Sequence, residues 1–256
     1  MKRIIAILLI LAGYLCTYAQ IYPTIAEQYG SSNIPEPEFY GSSTRSTPPG
    51  TLLYANPFIN NLINGLSSES WAPSESAADF LLQAPADIAF IRWWFLINSN
   101  PATTDWIIRI YNNQNCLPSS LLGTWNISAA SVNYEVIGSA FGLPLIDYWA
   151  ALNPVFQAQA GQNYWVSIQA VITDSYRAYW LYCGNTVQDC PGVFRGSFFG
   201  YPSWVPSINV TGDINEFPIE IYGMEELPPV PISNWALLIG LGLIIIFTVI
   251  RFRRIS

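Results

Sequence analysis

The chain has 256 residues, of which 51% are hydrophobic and only 11% charged. A soluble protein averages about 25% charged residues, so part of the apolar excess belongs to a membrane segment or an export signal, and the length fits one to two domains. The absence of histidine, with only four cysteines, excludes histidine-dependent catalytic triads and imidazole-ligated zinc sites. The net charge of −7 is unevenly spread: Lys2, Arg3, Arg251, Arg253 and Arg254 lie at the ends, and between them five arginines meet all seventeen carboxylates, leaving −12. A segment this acidic is not expected to take a nucleic-acid partner.

Lys2 and Arg3 precede the apolar run Ile4 to Leu15. As a helix this run is about 18 Å long, too short to cross a hydrocarbon core of about 30 Å. Thr17-Tyr18-Ala19 then puts small residues three and one positions before a cut, so residues 1–19 read as a signal peptide and the mature chain begins at Gln20. Cys16 falls inside the discarded peptide, without the small preceding residues that a lipoprotein signal uses. Residues 20–50 are rich in Ser, Pro and Gly with little apolar periodicity, and they read as a disordered linker.

From 51 to 223, short apolar runs are broken by Asn, Gly, Pro and Ser at the intervals of strands and turns. Ala86 to Ile97 is nearly continuous in apolar residues, as a strand covered on both faces requires. Trp106 to Tyr111 follows, with Arg109 on the face opposite Trp106, Ile108 and Ile110. Ala160 to Asn163 reads as a turn feeding Tyr164 to Val171, in which Tyr164, Val166, Ile168 and Ala170 share one face. Arg177 to Tyr182 and Phe217 to Tyr222 complete the clear strands. Many short strands without βα alternation predict an all-β fold, an antiparallel β-sandwich of jelly-roll type. The succession Asp79-Phe80-Leu81-Leu82, Pro118 to Trp125, Ala160 to Trp165 and Ile219 to Gly223 resembles a group of secreted bacterial sandwich domains. That resemblance implies an extracellular location and a sandwich fold.

Residues 224–231 form a short spacer, at most about 26 Å when extended. After it, residues 232–250 read as a transmembrane helix, the apolar run from Val230 to Ile250 being about 31 Å long as a helix. The basic residues Arg251, Arg253 and Arg254 in the tail 251–256 place the C-terminus inside and the middle of the chain outside the cytoplasm. Pro231-Ile232-Ser233-Asn234-Trp235, followed by one helix and an arginine cluster, resembles the exosortase-type C-terminal sorting signals, of which the PEP-CTERM class is the best known. The resemblance implies a membrane-embedded processing enzyme that cuts near Pro231 to Asn234. The chain lacks Pro-Glu-Pro at that place, and its Pro35-Glu36-Pro37 lies in the linker. A plain single-pass anchor is the alternative reading.

Three cysteines stay in the mature chain, and the short spacing of Cys183 and Cys190 predicts a disulfide between them outside the cytoplasm, leaving Cys116 unpaired unless the fold brings it to one of the other two. The carboxylates Asp79, Asp87, Asp147, Asp174, Asp189, Asp213 and Glu216 sit in no recognisable hydrolytic motif. Asp213 to Glu216 lacks the glycine-spaced pattern of a calcium loop. No catalytic residue, metal site or cofactor is therefore expected. Aromatic residues in predicted loops, namely Trp71, Tyr148, Trp149, Tyr201 and Trp204, are candidates for stacking on a sugar. The functional expectation is a non-catalytic, surface-exposed structural or adhesive component, with a surface carbohydrate-binding module as the alternative. The first test is N-terminal sequencing of the exported protein, expected to read from Gln20; a chain that retains Met1 overturns the signal peptide.

Overall fold

In a computed structural model of the chain, the described residues are 22–25, 38–40, 47–56, 58, 62–173, 176–184, 189–212 and 214–224. The chain divides into two compact units, Met1–Met224 and Glu225–Ser256, and all described residues belong to the first. The expected signal peptide, the expected sorting motif Pro231, Ser233, Asn234 and Trp235, the expected helix 232–250 and Arg251, Arg253 and Arg254 lie outside the described residues. Among the described residues no helix is long and apolar enough to cross a membrane.

The strands are β1 (Glu38–Phe39), β2 (Leu52–Asn56), β3 (Leu62–Ser67), β4 (Glu75–Leu81), β5 (Ala86–Ile97), β6 (Asp105–Gln114), β7 (Leu117–Ile127), β8 (Val132–Ala140), β9 (Leu143–Ala158), β10 (Asn163–Val171), β11 (Ala178–Gly184), β12 (Val193–Gly196), β13 (Tyr201–Pro206), β14 (Asn215–Glu216) and β15 (Ile219–Gly223). They pair antiparallel in two sheets. The first runs β1-β8-β9-β5-β11-β14, with β15 joining β5 to β2 and β3 lying beside β11; the second runs β13-β12-β4-β10-β6-β7. The fold is thus all-β and sandwich-like, with the main core between the sheets.

The long strand β5 has the bounds its apolar run predicts, and its alternation places two different sets of side chains. Ile91, Trp93, Phe95 and Ile97 enter the main core, whereas Trp94 and Leu96 face a second apolar cluster on the outside of the first sheet. A strand buried on both faces must be apolar at consecutive positions, which is what the sequence of β5 shows. In β10 the predicted face Tyr164, Val166, Ile168 and Ala170 is the core face. Opposite it, from β6, come Trp106, Ile108 and Ile110, and Arg109 is turned outward as expected.

Between the sheets the contact is mainly aromatic. Trp106 of the second sheet meets three rings of the first: Phe95 edge-on at 4.9 Å, Trp93 edge-on at 5.4 Å and Tyr148 at 4.7 Å. Trp93 also stacks on Tyr148 at 5.8 Å. Such pairs add about 0.5–1.5 kcal/mol each beyond their burial. Tyr148, a candidate for sugar stacking by sequence, is therefore a core residue, because its position on β9 falls on the inward side of the alternation.

Within residues 20–50, read as a linker from the sequence, the described residues include Thr24, which bridges Leu66, Ile25, which is fully buried against the outside of the first sheet, and β1, which pairs with β8. The apolar outer face carrying Trp94 and Leu96 needs cover, and this segment supplies part of it.

The expected disulfide between Cys183 and Cys190 does not form, because the sulfur of Cys190 is bonded to Cys116 across 74 residues of sequence. Between the two cysteines the chain leaves the first sheet, where Cys183 is in β11, and arrives at the outside of the second, where Cys190 packs with Ala77, Tyr111, Trp165 and Val193. Closeness in sequence is cancelled by this crossing. Cys116 waits there in the β6–β7 turn, where Asn115 and Cys116 both have positive φ, as tight hairpin turns require. Closing a loop of this length removes about 4 kcal/mol of unfolded-state entropy. Replacing the inter-sheet ring in Trp106→Ala is expected to cost about 3–5 kcal/mol in urea unfolding; a loss below about 1 kcal/mol overturns the central role of that ring.

Candidate functional site

The outer face of the second sheet carries a connected polar and aromatic surface. Strand alternation brings Glu75 from β4, Arg109 and Tyr111 from β6, Ser167 and Gln169 from β10, Arg195 from β12 and Trp204 from β13 to this side. Glu75 is its centre. Its Oε1 accepts from Arg195 Nη2 at 2.5 Å, and its Oε2 accepts from the Tyr111 hydroxyl at 3.0 Å and the Ser167 hydroxyl at 3.1 Å. Arg109 Nη1 lies 3.2 Å from the same Oε2 and donates to Gln169 Oε1 at 3.2 Å. Arg195 also donates to the Tyr111 hydroxyl oxygen at 3.1 Å, and its guanidinium lies 4.5 Å from the centre of the Trp204 ring. Burial, with Glu75 next, pushes the Tyr111 phenol upward, so this group stays a hydroxyl donor.

The other described arginines brace rather than present. Arg92, on the outside of the first sheet, is held in a two-pronged contact by Asp147, Nε to Oδ1 at 2.8 Å and Nη2 to Oδ2 at 2.5 Å, and donates to Glu220 at 3.0 Å. It thereby ties β9, β5 and β15 across three adjacent strands. Burial alone would lower its pKa, but the two carboxylates more than reverse this and raise it. Arg177 pairs with the fully buried Glu69 at 2.7 Å, and the Ala178 amide donates to the same carboxylate at 2.8 Å. Burial still raises Glu69 to about 7 against the pull of Arg177.

A second acidic group lies beneath the loop that carries Cys190. Asp79 Oδ2 accepts from Asn163 Nδ2 at 2.9 Å and from the Cys190 amide at 3.1 Å, and the Gly192 amide donates to Glu216. Both carboxylates are 2% exposed. Burial raises Asp79 to about 6, held back by the Asn163 donor, and raises Glu216 to about 9, with the Asp79 charge adding to it. Oε1 of Glu216 and Oδ1 of Asn163 are buried without a hydrogen-bond partner among the described residues. Among the described residues no three histidine, cysteine or carboxylate side chains are placed to hold a metal ion together.

The aromatic residues singled out in the sequence do not meet in one place. Trp149 is on β9 and contacts Phe90 at 6.0 Å. Trp71, 37% exposed, leans on Phe198 at 6.2 Å, while Tyr201 contacts Phe194 at 5.9 Å and its hydroxyl donates to the Asn209 carbonyl. Trp149 is paired in register with Arg92, and Trp204 stands beside Arg195 with Tyr111 edge-on at 5.8 Å. Glu75 and Arg195 were not among the sequence candidates. The only local sign of them was a charged residue alternating with apolar ones on a short strand, which by itself marks any outward-facing position. Asp174 and Asp213 lie outside the described residues.

No protein-family model matches the sequence, and no curated protein matches it. Among solved structures, a CocE/NonD-family hydrolase from Staphylococcus aureus aligns at 9% identity and a TM-score of 0.23, over 73% of this chain and 38% of that one.

The raised carboxylates set the pH response. Unfolded, Glu216 releases its proton near 4.5, and folded, near about 9. Between those values the folded chain keeps a proton that the unfolded chain has lost, so stability falls as pH rises. Glu216→Gln is expected to match the parent near pH 4.5 and to exceed it increasingly toward pH 9, by at least about 2 °C in Tm. Parallel Tm profiles for the two proteins would falsify the assignment.

Proposed function

We propose that the chain is an exported surface protein, delivered by its signal peptide and held or processed at its C-terminal helix, whose sandwich of jelly-roll type works by contact and not by catalysis. It serves as a structural or adhesive component of the cell surface. The observation that carries this reading is the employment of the charged groups. The four arginines of the described residues all sit in ion pairs, and the three carboxylates whose protons are held most tightly, Glu216, Glu69 and Asp79, are at most 2% exposed. The alternation of the chain between sheets, with β4 in the second, β5 in the first, β6 and β7 in the second and β8 and β9 in the first, supports the jelly-roll assignment.

A second reading, a surface carbohydrate-binding module, is favoured by one specific observation: Trp204 is a partly exposed indole beside a hydrogen-bonding guanidinium. Indole faces and planar donors are the two elements a sugar site uses. Mass spectrometry of the surface form tests the processing half of the proposal. Loss of all peptides after Pro231 is expected, and recovery of peptides covering residues 232–250 sinks the sorting signal in favour of a plain anchor.

A further inference from the structure

We infer that the outer face of the second sheet, around Arg109, Arg195 and Trp204, binds a carboxylate-bearing saccharide. This rests on the carbohydrate reading above and adds the place and the ligand chemistry. Charge sets this face apart. Arg92 faces two carboxylates and Arg177 faces one, whereas Arg109 and Arg195 share the single carboxylate of Glu75. In a chain with a net charge of −7, this is the one cluster of ion pairs among the described residues that keeps a net positive charge.

Both guanidinium groups keep hydrogen-bonding capacity. Arg195 makes its bonds to Glu75 and Tyr111 through Nη2, and Arg109 makes its contacts to Glu75 and Gln169 through Nη1. Nε and the remaining Nη of each guanidinium have no partner among the described residues. The Arg195 side chain is 34% exposed and that of Arg109 is 19% exposed, so a ligand can reach them. A guanidinium fork matches a carboxylate in two parallel bonds, and Glu75 and Trp204 already fix the orientation of the Arg195 fork. Pre-setting the donor lowers the ordering cost on binding.

The edge of the sheet favours a sugar over an acidic peptide. Peptides commonly dock on a sheet by adding a strand to its edge. The edge beside Arg195 is β13, Tyr-Pro-Ser-Trp-Val-Pro, in which Pro202 and Pro206 lack the amide hydrogen that such pairing uses. A saccharide needs no main-chain ladder. It needs an apolar contact and directional donors, which the partly exposed Trp204 ring and the two arginines supply. At physiological ionic strength the acidic remainder of the surface is screened beyond about 8 Å, whereas a direct contact near 3 Å is not.

The test is calorimetric titration of the full-length chain in detergent with pairs of sugars that differ at C6: trigalacturonate against galactotriose, and trimannuronate against mannotriose. At least one acidic member is expected to bind about tenfold more tightly than its neutral partner, the size of one charge-assisted contact. Arg195→Ala is expected to abolish that preference. Arg195→Lys keeps the charge but loses the fork and is expected to retain only part of it, and Trp204→Ala lowers acidic and neutral binding alike. Thermal unfolding of each variant distinguishes lost binding from lost fold. Equal binding of acidic and neutral members, or an undiminished preference in Arg195→Ala, overturns the ligand class while leaving a neutral-sugar module standing. Absence of binding by all four sugars overturns the inference and the carbohydrate reading together.

Discussion

The packing of Trp106 against Trp93, Phe95 and Tyr148 is the contact from which the rest of the molecule takes its arrangement. Here one ring of the second sheet meets three of the first, and rings of this size bury more apolar area than any aliphatic side chain. Once these rings occupy the space between the sheets, alternation along each strand is set in phase. Arg92 and Asp147 must then lie outside the first sheet, and Arg109 and Arg195 outside the second. The electrostatic pattern of both outer faces is thus a consequence of how the core is filled.

The two outer faces are finished differently. On the first sheet the apolar residues Trp94, Leu96 and Leu145 are covered by Ile25 and by Phe58, which stacks on Trp94 at 5.8 Å. On the second, the loop carrying Cys190 covers Trp165 and is held by the bond to Cys116 and by Asp79 beneath it. Away from that loop the second sheet keeps its polar surface open. One part of this face is covered by a disulfide-tied loop, and the other carries two arginines around one glutamate. The buried carboxylates Asp79 and Glu216 have no arginine near them in the pattern of ion pairs, which is why burial dominates their protonation.

What could be read from the sequence was what depends on neighbours a few residues apart. The bounds of β5, the core face of β10 and the outward turn of Arg109 all follow from period-two alternation, which is local. The identity of Trp106 as a core ring was legible for the same reason. Less could be said of Trp149 and Tyr148, because adjacent residues on one strand go to opposite faces, and only the phase of β9 against β5 says which ring is inside. Glu75 and Arg195 were invisible as partners: 120 residues separate them in sequence, and their meeting requires β12 to lie beside β4.

By itself, then, the sequence determined the class of secondary structure, the two-sheet character and the exclusion of histidine chemistry, since composition and short-range periodicity carry those. Tertiary structure decided the partner of Cys190, the ordering of Ile25 and the gathering of Arg109, Arg195 and Trp204 around one carboxylate. Each of these joins segments that no local rule relates. Strand order brings such segments together, and strand order is selected by the packing of the whole core rather than by any one stretch of it.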